Sequence, residues 1–167
     1  MELVLPSPEA TRALGERLAG LLRAGDLVLL HGGLGAGKTT LTQGIGAGLD
    51  VRGHVASPTF IIARTHRPRG GGPGLVHVDA YRLGSFDELE ALDLDTSLEE
   101  SVTVVEWGEG LAEVLSEDRL EIAIARPHGG MVDASAGLVD DGARHVTLTA
   151  HGPRWDGVDL SVLRGDA

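Results

Sequence analysis

"LVLLHGGLGAGKTT", residues 27–40, joins a strand-like run to a glycine-rich turn and the start of a helix. Leu27–His31 is short and apolar, as in a buried strand, and Gly32, Gly37, Lys38 and Thr39 then satisfy G-x-x-x-x-G-K-[ST]. Successive backbone N–H groups of such a loop surround an anion at a helix N-terminus, where the helix dipole also favours negative charge. Lys38 would then reach the β- and γ-phosphates of a nucleoside triphosphate, and Thr39 would offer its hydroxyl to Mg²⁺. A glycine-rich turn that matched by chance would not need a strand before it and a helix after it.

Working outward, the spacing predicts a helix from about Gly37 to Leu49. Upstream, "SPEATRALGERLAGLLRAG" has Ser7 as N-cap, Pro8 at the first helical position and apolar residues at Leu14, Leu18, Leu21 and Leu22. This is an amphipathic helix that stops near Gly25. Downstream, "SPTFIIARTH" reads as a loop at Ser57–Pro58 running into a strand, and "LVHVDAYRL" as a second strand. The tip "RPRGGGPG" joins the two as an antiparallel hairpin. Ser85 and Glu88 form a capping box that opens a short acidic helix, and Val102–Val105 is a β-branched strand ending at Glu106. "DRLEIAIAR" and "RHVTLTAHG" close the pattern as a pair of strands at about 119–151, with a loop insertion at 127–143.

Strands interleaved with helices around a glycine-rich first βα turn predict a three-layer α/β fold of the P-loop NTPase type. Its central sheet should be mixed and mainly parallel, with the antiparallel hairpin attached. The 167 residues suit a single domain over 1–167, with the motifs in about 7–125. The absence of cysteine excludes disulfides, cysteine-ligated zinc, iron–sulfur clusters and a thiol nucleophile, and the seven histidines show no H-x-x-x-H pair. No apolar run approaches the roughly twenty residues that span a bilayer, and "MELVLPSPEA" lacks the parts of a signal peptide, so a cytoplasmic protein is expected. A net charge of −11 opposes direct grip on a phosphate backbone, which leaves any nucleic acid to a partner.

Magnesium needs acidic company, and strand C-termini are where an α/β sheet presents ligands. Asp79, after "LVHV", and Glu106, after "VTVV", meet that requirement: one to hold hydrated Mg²⁺, the other to position or deprotonate the attacking water. The sequence does not divide those roles, and either residue is also readable as an ordinary strand-end carboxylate capping the next helix. Thr59 is a candidate switch threonine that senses the γ-phosphate, or else a turn residue beside a proline. Arg82 would pair with the acidic run Asp87–Asp95 more readily than serve as a cis arginine, and Trp107 would stack on adenine or on a partner, or simply pack. No N-K-x-D motif occurs, and the D-x-x-G at Asp50–Gly53 follows a helix, so ATP is favoured over GTP. Arg64, Arg67 and Arg69 are the residues from which a small-molecule kinase would build a lid, yet they sit in a glycine-rich hairpin tip.

Taken together, "GGLGAGKTTLTQG", "SPTF", "HVDAYRL" and "VVEWGEG" resemble, in order and spacing, the motifs of the TsaE (YjeE) family, the bacterial ATPase of tRNA threonylcarbamoyladenosine synthesis. The resemblance covers roughly residues 7 to 125. It implies ATP and Mg²⁺ as cofactors, slow hydrolysis by the isolated protein and productive hydrolysis when docked on a TsaB–TsaD complex. In such systems TsaD transfers the threonylcarbamoyl group to the adenosine beside the anticodon, and the ATPase supports repeated turnover.

Carried over residue by residue, the family's nucleotide loop falls on Gly32–Thr40. This assigns Gly33, Leu34, Gly35, Ala36, Gly37, Lys38, Thr39 and Thr40 to the nucleotide, together with Thr59 and Trp107. The resemblance puts Asp79 and Glu106 with Lys38 in the catalytic set and Thr39, Asp79 and Glu106 around the metal. The family pattern usually reads G-D-L-G-A-G-K-T, whereas here Gly33 replaces the acidic residue. The acidic stretch Phe86–Glu100 is either a docking face for the partners or a solvated surface.

Overall fold

A computed structural model describes residues 1–56, 63–81, 87, 88, 91, 98–107, 110, 115–126 and 142–165. In chain order these contain β1 (Glu2–Leu5), α1 (Pro8–Ala19), β2 (Leu27–His31), α2 (Lys38–Gly48), β3 (Ala63–His66), β4 (Gly74–Asp79), β5 (Ser101–Glu106), β6 (Arg119–Ala125) and β7 (Arg144–His151). Two 3-10 turns come after β7, at Pro153–Trp155 and Leu160–Arg164. The strands form one seven-stranded sheet in the order β1-β7-β6-β2-β5-β4-β3. Strands β6, β2, β5 and β4 are mutually parallel at its centre, while β7 and β3 run antiparallel to their neighbours. The sheet is therefore mixed and mainly parallel, and β3–β4 is the expected antiparallel hairpin.

Helix α1 starts as the sequence requires: the Ser7 hydroxyl accepts from Ala10 N at 3.2 Å, with Pro8 behind it. It ends earlier than expected, at Ala19. From Gly20 the backbone tightens, with Gly20 N donating to Arg17 O and Leu21 N to Leu18 O, and Gly25 at φ +94° then turns the chain into β2. Helix α2 lies directly on α1, because glycines let the two backbones touch. A Cβ on Gly44 would stand 2.1 Å from Arg12 O, and one on Gly15 would stand 2.4 Å from Leu41 O. This contact fixes the helix whose first turn bears Lys38 and Thr39.

Strand β2 is buried from Leu27 to Leu30 and divides those side chains between two apolar clusters. Val28 and Leu30 join Leu14, Leu18, Leu41, Ile45, Val104 and Ile122 beneath α1 and α2. Leu27 and Leu29 join Val76, Val78 and Val105 on the opposite face, where Leu98 and Leu115 pack. A strand covered on both sides reads as a continuous apolar run, which is why Leu27–His31 was legible. Strand β1 was not. Its four residues, ended by Pro6, carry little pattern, and its pairing with β7, Leu3 against Val146, makes it a strand. Among the described residues no helix is long and apolar enough to cross a membrane.

Candidate functional site

Parallel register brings the polar residues to one end of the sheet. Leu30, one residue before the end of β2, stands opposite Glu106 on β5, and Glu106 stands opposite Asp79 on β4. The glycine loop rises from the same edge. Gly32 has φ +149° and passes so close to β6 that a Cβ would lie 2.5 Å from Ile124 O, while Gly37, at φ +115°, is the N-cap of α2. No side chain caps that helix, in contrast to Ser7 on α1, so its first amides remain available to an anion.

Lys38 is buried, and its Nζ donates to Gly32 O at 2.7 Å and to Gly33 O at 2.9 Å. The ammonium also lies 4.0 Å from the centroid of the Trp107 ring. Burial pushes its pKa down, and the charges of Glu106 and Asp79 act in the opposite direction. Trp107 holds φ +59°, a left-handed conformation unusual for a bulky residue, and the Tyr81 ring meets it edge-on at 5.3 Å.

Glu106 is almost wholly buried, and one oxygen serves two partners. Its Oε1 accepts from Thr39 Oγ1 at 3.3 Å and lies 2.8 Å from His77 Nε2. His77 is fully enclosed, and its Nδ1 has no hydrogen-bond partner among the described residues. An unpaired lone pair there is less costly than an unpaired N–H. The arrangement therefore suits the tautomer whose Nε2–H donates to Glu106. Asp79 sits at the mouth, where its Oδ1 accepts from Tyr81 N at 3.0 Å.

These groups line a cleft of about 490 Å³. Of the expected residues it gathers Leu34, Gly35, Ala36, Gly37, Lys38, Thr39, Thr40, Asp79, Glu106 and Trp107. Gly33 is outside that lining and participates through its carbonyl; a Cβ there would meet nothing within 4 Å, so space does not exclude the family's acidic residue. Thr59, Arg82 and the Ser85 end of the capping box lie outside the described residues, as does most of the acidic stretch 86–100. None of Arg64, Arg67 and Arg69 lines the cleft, and Arg69 instead faces Asp50 at 3.6 Å.

Sequence reasoning missed His77, Tyr81 and Arg144. The first two carried a signal, since His77 precedes Asp79 by two residues on one strand and so shares its face, and Tyr81 comes two residues after it. Arg144 carried none, because its position beside the loop depends on β7 folding back across the sheet.

Fold and cleft together define an α/β protein of the P-loop type. Comparison with known proteins narrows this class. The sequence profile described as "Threonylcarbamoyl adenosine biosynthesis protein TsaE" matches residues 5–131, and the chain belongs to the TsaE family. It is 61% identical over 155 residues to the tRNA threonylcarbamoyladenosine biosynthesis protein TsaE of Streptomyces coelicolor, covering 92% of this chain and 99% of that one. The Bacillus subtilis protein of the same name is 38% identical over 161 residues, covering 96% and 92%. The crystal structure of Bacillus subtilis YdiB superposes with a TM-score of 0.68 at 30% identity, covering 93% of this chain and 88% of that one.

Proposed function

We propose that this protein is a Mg²⁺-dependent ATPase of cytoplasmic tRNA threonylcarbamoyladenosine modification, acting with a TsaB–TsaD complex to sustain its turnover. The observation that carries the reading is the contact between Thr39 Oγ1 and Glu106 Oε1 beside an uncapped helix N-terminus. It brings a loop hydroxyl and a strand-end carboxylate together, the pair of hard oxygens that a P-loop protein uses for magnesium.

From the same geometry we assign the two roles that the sequence left undivided. Thr39 and Glu106 would hold the ion, which when bound supplies positive charge to the β- and γ-phosphates. Asp79, nearer the mouth and held through one oxygen by the Tyr81 amide, would orient the attacking water. Lys38 would exchange its two carbonyl acceptors for phosphate oxygens, a charge-assisted replacement. The donor at His77 keeps Glu106 aimed. Trp107 covers the Lys38 ammonium, and the Tyr81 ring meets Trp107 edge-on at the mouth of the cleft. The acidic chain leaves tRNA contact to the partners.

The test is steady-state Mg–ATP hydrolysis by the purified protein, alone and with TsaB and TsaD, with Lys38→Ala as the blank. Stimulation by the pair that vanishes in the variant supports the proposal. Equal rates with and without the pair detach the chain from the complex, and tight ATP binding with no hydrolysis in either case indicates a binding module. Glu106→Ala should retain ATP affinity within a few-fold and lose turnover by about 100-fold or more, measured by calorimetry and phosphate release. Near-normal hydrolysis would remove Glu106 from the proposed machinery.

A further inference from the structure

Behind the nucleotide loop, on the side away from the cleft, lies a buried cation that the proposed reaction does not use. Arg144 opens β7 and is only 8% exposed. Its Nε donates to Ala36 O at 3.0 Å, and its Nη1 donates to Gly142 O and to Ala143 O. All three acceptors are neutral carbonyls. Among the described residues no carboxylate forms an ion pair with this guanidinium, and its hydrogen-bond acceptors there are backbone carbonyls.

The acceptor on the loop makes this position informative. Ala36 C=O and Gly37 N–H belong to one trans peptide plane, so they point in opposite directions. The oxygen faces Arg144. The amide hydrogen accordingly faces the concave side of the loop, at the N-cap of α2. A cation on the oxygen draws electron density through the amide and strengthens its N–H as a donor to an anion. The carbonyls of Gly142 and Ala143 hold the guanidinium still from the other side. That removes the rotamer entropy which would otherwise oppose the contact.

We propose that Arg144 is a positioning residue for polyphosphate binding: by clamping and polarising the Ala36–Gly37 peptide from behind, it pre-organises the loop and raises affinity for the phosphates. This extends the nucleotide-loop reading and rests on it. Arg144 does not touch the ligand, and its contribution should appear with any anion seated in the loop. It should be absent from binding of the nucleoside part.

The experiment titrates the full-length protein with inorganic pyrophosphate and, separately, with adenosine, in the absence of divalent metal, by isothermal titration calorimetry. Wild type, Lys38→Ala, Arg144→Met and Arg144→Lys are compared at matched folded fraction. Arg144→Met is expected to weaken pyrophosphate roughly tenfold, as expected for loss of a charged hydrogen bond, with Arg144→Lys intermediate and adenosine unchanged. Equal pyrophosphate affinity in wild type and Arg144→Met overturns the inference while leaving the loop reading intact. Failure of wild type to bind pyrophosphate or ATP overturns the loop reading and the inference with it. Should Arg144→Met fail to fold, NMR of the wild type decides: the Gly37 amide and the Arg144 Nε–H are expected to shift together during the titration. An Nε–H resonance that stays fixed while Gly37 moves overturns the inference.

Discussion

The two ends of β2 carry buried charge in opposite ways. Just before the strand, Asp26 is 4% exposed and fully engaged: Arg154 Nε and Nη2 each reach one of its oxygens at 2.8 Å, and Arg23 N donates at 2.9 Å. Arg154 spends a further donor on Leu21 O at 2.9 Å and lies over the Trp155 ring. Just after the strand, Lys38 has two carbonyls and a ring for company, and among the described residues the amides at the start of α2 have no side-chain cap. The first cluster is closed and bidentate, as a structural clasp should be. The second has donors in excess, as a site shaped for an anion should. Satisfaction of polar groups, more than burial or charge, separates the two.

That contrast can be broken in several ways. The largest effect should come from the clasp: Asp26→Ala leaves Arg154 buried without its counter-charge and is expected to lower unfolding free energy by about 3–5 kcal/mol in urea denaturation. The folded fraction should still bind ATP normally. Lost binding in that fraction would mean that the two ends of β2 are not independent.

At the other end, Lys38→Ala should cut Mg–ATP hydrolysis by roughly 100- to 1,000-fold, about 3–4 kcal/mol of transition-state stabilisation. Its thermal midpoint should stay level or rise, because an incompletely paired buried ammonium is being removed. A fall as large as that of Asp26→Ala would show that Lys38 belongs to the scaffold. His77→Leu should lower kcat about tenfold, by analogy with loss of an orienting partner, with little change in ATP affinity, and His77→Gln should recover much of the loss by restoring an N–H donor. Equal kcat in His77→Leu and wild type would show that Glu106 needs no orienting donor.

The smallest effect concerns His66, outside both clusters. Burial pushes its pKa below the ordinary 6.5, partly opposed by a hydrogen bond between Nδ1 and Arg52 O at 3.1 Å. The unfolded chain therefore binds its proton first, so stability from this residue is complete above about pH 6.5 and falls as pH drops toward the lower folded pKa. His66→Gln should flatten that part of the stability profile. An unchanged slope would assign the acid sensitivity to other groups.

Much of the site was legible because its parts are local. The glycine loop declares itself within eight residues, 32–39, since each glycine or lysine answers a backbone or charge requirement of its immediate neighbours. Strand ends at Asp79 and Glu106 could likewise be read from β-branched and apolar runs. The sequence by itself therefore determined the βα unit, the α/β class, the hairpin and the acidic candidates. Only the tertiary structure decided that Glu106 meets Thr39 and His77, that Arg144 lies behind Ala36, that Asp26 clasps Arg154 and that Glu2–Leu5 is a strand. Local signals report what a segment prefers through its own dihedrals and periodicity. These contacts join residues 29 to 145 positions apart, and parallel register and chain return set them in space.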